Sequence, residues 1–200
     1  RSTAQLVLQR TSSLAGYDAR QLLRVATLQQ KAGDLDGAVW SLQKAMEGEP
    51  DFVPARIRLG EALAALGRME KAELVAAGLR RDFPQEPFGH HLLGTISEKQ
   101  GDHATALQHY QAALARKGDS PILALRVYES MRLVAGDEAA LTFLSNWVGV
   151  HPGDAIARQA LGEANFRAGR WAEARTLFEQ ALAEAPDSPL VLNNLALLLL

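Results

Sequence analysis

A 34-residue period runs through this chain. Ala32-Gly33-Asp34 reads as a turn, and similar glycines recur at Gly67, Gly101 and Gly169, at spacings of 34, 34 and 68 residues. Gly136 stands beside the missing member. With repeats starting at Ala19, Val53, Pro87, Pro121 and Ala155, the twentieth column reads Ala38, Ala72, Ala106, Ala140 and Ala174. The seventh column is aliphatic throughout: Val25, Leu59, Leu93, Val127, Leu161 and Leu195. The eighth is small except at Tyr128: Ala26, Gly60, Gly94, Tyr128, Gly162 and Ala196. A fixed period of this length marks a supersecondary unit that cannot bury its own apolar face and must stack on its neighbours.

Each unit reads as two helices. In the second repeat the first helix is expected over about Pro54–Leu66, stopped by Gly67, because glycine tolerates the conformation of a helix end. The second is expected over about Met69–Arg81, and Pro84 marks the exit, since proline cannot continue a helix. Small side chains at the eighth and twentieth columns let two helix backbones approach. Large side chains at the twenty-fourth column, such as Leu42, Tyr110, Leu144 and Phe178, fill the space beside them.

These residues resemble the tetratricopeptide repeat (TPR): its length, its small eighth and twentieth positions and its proline near the end, here Pro50, Pro84, Pro152 and Pro186. The resemblance covers the chain and implies an all-α fold, a right-handed α-solenoid of antiparallel helix pairs. The expected organisation is a single solenoid over 1–200. It would hold a half repeat 1–18, full repeats 19–52, 53–86, 87–120, 121–154 and 155–188, and a half repeat 189–200. The chain reads as a piece of a longer repeat protein. Two departures stand out. The fourth column, where the family prefers an aromatic, holds Leu22, Arg56, His90, Ala124, Arg158 and Leu192. The fourth repeat places Tyr128 and Trp147 at small columns, so it is expected to be the least regular.

The resemblance implies that first helices line a concave face that binds a peptide segment or a partner helix. Carried over residue by residue, the groove is expected at Arg20, Leu23, Arg24, Thr27, Arg58, Glu61, Phe88, His91, Thr95, Arg126, Glu129, Gln159, Glu163, Asn193 and Asn194. Ile57, Leu92, Ile122, Leu125 and Ile156 would add apolar surface or pack on the next repeat. Arg24, Arg58 and Arg126 share the sixth column, while Glu61, Glu129 and Glu163 share the ninth. Either the arginines await a partner's carboxylates, or Arg58 and Arg126 are paired with the glutamates three residues on. The basic and amide residues with which some relatives clamp a C-terminal carboxylate are missing in that register, which reads Leu23, Thr27, Arg58, Phe88 and Leu92.

The remaining chemistry is quickly bounded. Hydrophobic residues make up 48% of the chain, enough for a core, and the formal charge of −2 argues against a nucleic-acid partner. With no cysteine, thiolate metal sites, disulfides and cysteine nucleophiles are excluded. The five histidines show no ligand spacing, and no phosphate loop or nucleophile motif occurs. The expectation is a non-catalytic scaffold with no cofactor, no metal and no membrane span in this stretch. The ends 1–18 and 189–200 are second- and first-helix halves that could associate end to end between copies, driven by the apolar run Leu195–Leu200. A narrower resemblance, carried by Trp147–Pro152 and Pro189–Ala196, is to bacterial TPR lipoproteins of the PEP-CTERM system. It implies a structural component of an envelope exopolysaccharide or protein-sorting system, periplasmic or associated with the outer membrane. Without it the expectation is cytoplasmic.

Overall fold

The computed structural model describes residues 3–184, 186, 187 and 189–198. Leu199 and Leu200, the end of the apolar run, lie outside the described residues. Twelve helices and no strand occur among the described residues. They are α1 Thr3–Leu14, α2 Ala19–Lys31, α3 Leu35–Gly48, α4 Val53–Ala65, α5 Met69–Asp82 and α6 Phe88–Lys99. After these come α7 His103–Leu114, α8 Pro121–Ala135, α9 Asp137–Val150, α10 Ala155–Arg167, α11 Trp171–Glu184 and α12 Pro189–Leu197. The chain divides into two compact units, 1–116 with α1 to α7 and 117–200 with α8 to α12.

In the first and third repeats the turn within the helix pair joins a glycine to an aspartate cap. Gly33 sits at φ 74°, a left-handed conformation that a Cβ disfavours. Its turn returns the amide of Asp34 to the carbonyl of Gln29 at 2.8 Å. The Asp34 carboxylate then accepts from the amide of Gly37 at 3.1 Å and caps α3. Asp102 repeats the device on Thr105 at 3.0 Å at the start of α7.

In unit 1 the first helices α2, α4 and α6 pack on one another in sequence as well as on their own partners, whereas α3, α5 and α7 are less closely apposed. A stack whose first helices approach more closely than its second helices curves with the first helices inside. The core between these layers holds Leu22, Leu42, Ala55, Ala72, Leu79, Leu92 and Ile96, all nearly or wholly buried.

The eighth column is occupied in two ways. A Cβ on Gly94 would lie 2.6 Å from the Tyr110 ring, and one on Gly162 would lie 2.6 Å from the Phe178 ring. Here the small residue receives the twenty-fourth residue of its own repeat. In the second repeat that residue is only Ala76, and Leu92 of the following repeat closes on Gly60 instead; a Cβ there would be 2.2 Å from a Leu92 methyl. Leu92 is therefore core at 1% exposure rather than part of an exposed apolar wall.

The fourth-column arginines are also buried. Arg56 donates to Asp82 at 2.8 Å and stacks over the Phe83 ring at 5.8 Å. Arg158 donates to the carbonyl of Pro152. Asp82 closes the second helix of Arg56's own repeat, whereas Pro152 lies in the loop before α10; in both cases a buried stem carries the guanidinium to an acceptor at a helix end or loop. Another buried polar network joins α1, α2 and α3. Ser41 donates to Gln29 at 2.7 Å and lies 2.7 Å from Ser12.

Unit 2 carries the fourth repeat, whose irregularity lies in its turn. The helix α8 runs to Ala135, and Gly136 alone connects it to α9, at φ 89° and ψ 168°, a region essentially reserved for glycine. The two oversized residues are accommodated. Tyr128 is buried and its hydroxyl accepts from Arg167 at 2.7 Å. Trp147 donates its indole N–H to Asp154 at 2.8 Å.

Candidate functional site

On α2, Arg20 and Arg24 are exposed, while Leu23 and Thr27 are half-buried. Thr27 donates its hydroxyl to the carbonyl of Leu23 at 2.8 Å, so that proton is committed to the helix itself. On the adjacent α4, Arg58 is exposed and paired with Glu61 at 3.1 Å. On α6, Phe88, His91 and Thr95 are all half-buried; His91 tilts against Tyr110 at 6.1 Å between centroids, and Thr95 donates to the His91 carbonyl at 3.2 Å. Arg24 makes no ion pair among the described residues. The two sixth-column arginines of this unit thus differ: Arg58 is paired with a carboxylate and Arg24 makes no ion pair among the described residues.

In unit 2, Arg126 and Glu129 are exposed on α8, and Glu129 bonds to Arg132 at 3.3 Å. On α10, Gln159 donates its side-chain amide to Glu163 at 3.1 Å. On α12, Asn193 is exposed and Asn194 half-buried, with the Asn194 side-chain nitrogen shielded from solvent and unpartnered. The terminal helices carry exposed apolar side chains, Leu6 and Val7 on α1 and Leu192 and Leu197 on α12. No group of three or more metal-type ligands comes together among the described residues.

One pair of titratable groups escaped the column reading. His90 on α6 and His109 on α7 bring their Nδ1 atoms to 3.4 Å. Burial, then the charges of Arg116 and Arg80 and the neighbouring His109, push His90 down to about 4. Burial and Arg80 lower His109 as well. The two residues lie at the fourth and twenty-third positions of one repeat, and facing helices of a pair are the signal that would have found them.

A lowered histidine pKa means that the unfolded chain takes up the proton first. Stability is therefore fully present above about pH 6.5 and is lost as pH falls from there towards 4. Water screens these half-buried rings, so the expected loss is about 1 kcal/mol. Thermal melts at about pH 7 and pH 5 should then differ by about 2–4 °C more than in a His90→Gln, His109→Gln double variant. Equal pH dependence of the two proteins would refute the assignment.

Three tetratricopeptide-repeat family models match the chain, over residues 29–96, 90–122 and 155–198. The chain belongs to the tetratricopeptide-repeat family. Human protein O-mannosyl-transferase TMTC1 is 27% identical over 90% of the chain, which spans only 21% of that protein. Yeast Tom70 superposes on 99% of the chain and 43% of its own, with a TM-score of 0.74 at 17% identity. YrrB, described as a TPR protein with an unusual peptide-binding site, covers 96% of the chain with 97% of its own, at a TM-score of 0.53 and 18% identity. At these identities the structural likeness is one of fold. TPR stacks are protein-interaction scaffolds that present extended concave surfaces.

Proposed function

We propose that this TPR chain is a non-catalytic scaffold that holds a peptide segment or partner helix against its first-helix wall, with Arg24 as the leading contact. The observation that carries this reading is the exposure of Arg24 without an ion pair, on the helix next to that of Arg58. A guanidinium fork suits a carboxylate or a run of peptide carbonyls. Half-buried Leu23 and Ile57 would supply apolar contact beside it. Arg58 would exchange Glu61 for a ligand carboxylate, a small change because an exposed pair of this spacing is weak. The remaining wall contacts of unit 1 would be Arg20, Thr27, Phe88, His91 and Thr95. In unit 2 the contributors would be Arg126, Glu129, Gln159, Glu163, Asn193 and Asn194. The peptide-binding site in the description of YrrB is a precedent for peptide capture on this fold.

The test is a fluorescence-anisotropy screen of labelled peptides, acidic and neutral, with free and amidated C-termini. Acidic or free-carboxylate peptides are expected to bind best. Arg24→Ala should weaken the best of them by about tenfold, and Arg58→Ala by less, with Tm changed by no more than about 1 °C. Equal affinity in both variants removes the arginines from the mechanism. Failure of every peptide to bind more tightly than about 1 mM removes peptide capture itself.

A further inference from the structure

A second polar feature of unit 1 lies outside the first-helix wall. Where α5 ends and α6 begins, a cleft of about 360 Å³ is lined by Arg80, Arg81, Pro84, Glu86, His90 and Arg116. Three guanidiniums and an imidazole thus face one carboxylate. The arginines are held differently. The stem of Arg80 crosses Gly89, where a Cβ would stand 2.3 Å from its Cγ, and its guanidinium makes no ion pair among the described residues. Arg116 is anchored by its Nε on the Pro84 carbonyl at 3.1 Å and by Nη1 on the Ala112 carbonyl at 2.7 Å, and it makes no ion pair among the described residues. Arg81 is engaged with Asp82 at 2.8 Å, and that carboxylate also serves Arg56. Among the described residues that line the cleft, Glu86 is the one carboxylate set against Arg80 and Arg116.

We propose that this cleft is an oxyanion-binding site, in which Arg80 and Arg116 grip a phosphate- or sulfate-type dianion while Arg81 and His90 complete the lining. Two guanidinium forks require an acceptor with three or more oxygens in different directions, which a phosphoryl or sulfuryl group supplies and a single carboxylate does not. The Arg116 anchors and the close Arg80–Gly89 approach set the forks before the ligand arrives, which lowers the ordering cost of binding. Burial first, and then the charges of Arg116 and Arg80, hold the His90 imidazole below its ordinary range, as the cleft geometry requires. Glu86 from the connection and His109 from α7 are the other titratable groups facing that ring. Binding of an anion and protonation of His90 must then strengthen each other by the same factor. The site does not rest on the peptide-binding reading, and none of the residues varied below belongs to the first-helix wall.

The experiment is an NMR pH titration of the histidine ring protons of the full chain in sodium sulfate and in sodium chloride at equal ionic strength. Sulfate stays dianionic throughout the range. Sulfate is expected to raise the His90 pKa by about one unit over chloride, a tenfold coupling. Arg80→Gln, whose exposed head can be lost without disturbing the core, should weaken sulfate binding by about fivefold or more, and Glu86→Gln should strengthen it. Equal behaviour in sulfate and chloride, or unchanged sulfate affinity in Arg80→Gln, overturns the proposal. A second arm compares inorganic phosphate with a phosphoserine peptide and its unphosphorylated form. Tighter binding of the phosphopeptide than of phosphate makes the ligand an ester on a partner, and equal binding makes it the free anion.

Discussion

Replacing Tyr110 with alanine is expected to lower the stability of unit 1 by about 3–5 kcal/mol. The side chain is completely buried. Its ring fills the space that Gly94 leaves open, and its hydroxyl donates to Glu98 at 2.6 Å. Alanine removes the ring's burial and leaves a cavity between α6 and α7 that rigid helix backbones close only in part. Tyr110→Phe separates the two contributions. It keeps the packing and loses one charge-assisted hydrogen bond, for about 1–3 kcal/mol. Urea denaturation followed by circular dichroism measures both. A loss below about 1 kcal/mol in Tyr110→Ala would mean that this ring is not the filler of the helix pair. Neighbour coupling in a repeat array spreads such a loss to the adjacent repeats, so the transition should also lose cooperativity.

Much of the fold is legible in the chain because its physics is columnar. A 34-residue repetition of small residues, aliphatic residues and glycine turns is enough to place helix boundaries within a residue or so: Pro54–Leu66 was expected where α4 runs Val53–Ala65, and Met69–Arg81 where α5 runs Met69–Asp82. Columns fail where one repeat breaks the volume rule and a neighbour compensates. Ala76 is too small to fill the space beside Gly60, and Leu92 moves in from the next repeat; a single column cannot show a contact that crosses repeats. Charge has the same limit. The pair Arg58–Glu61 forms at the expected spacing, and Glu129 also bonds to Arg132 three residues on, a contact the sixth- and ninth-column reading does not contain. Burial of Arg56 and Arg158 was equally hidden, since an arginine stem can replace an aromatic ring only when a carboxylate or carbonyl waits at its tip, as Asp82 and Pro152 do. The oxyanion cleft draws on Arg80, His90 and Arg116, which stand in three different columns of two successive repeats. Only the stacking of one repeat on the next brings them to one place.

The two ways of occupying the eighth column set different costs for volume added there. Gly94→Leu drives new volume into the Tyr110 ring, a rigid and fully buried group whose nearest atoms stand 2.6 Å from the would-be Cβ. Overpacking of this kind costs about 1–3 kcal/mol and occasionally more, and the stiffness of the ring places Gly94→Leu at the upper end, about 3 kcal/mol. Gly60→Ala meets instead the methyls of the buried Leu92, which must shift, and that cost is set against the roughly 1 kcal/mol by which alanine exceeds glycine in a helix. Its net effect should fall within about 1 kcal/mol of zero. Combining Gly94→Leu with Tyr110→Ala lets the new leucine fill the vacated cavity, so the double variant should be more stable than the sum of the singles by about 2 kcal/mol. Denaturation curves of the four proteins in this cycle decide the matter. Additive losses would show that Gly94 and Tyr110 do not share one space, and the small column would then need another cause than the close approach of two helices.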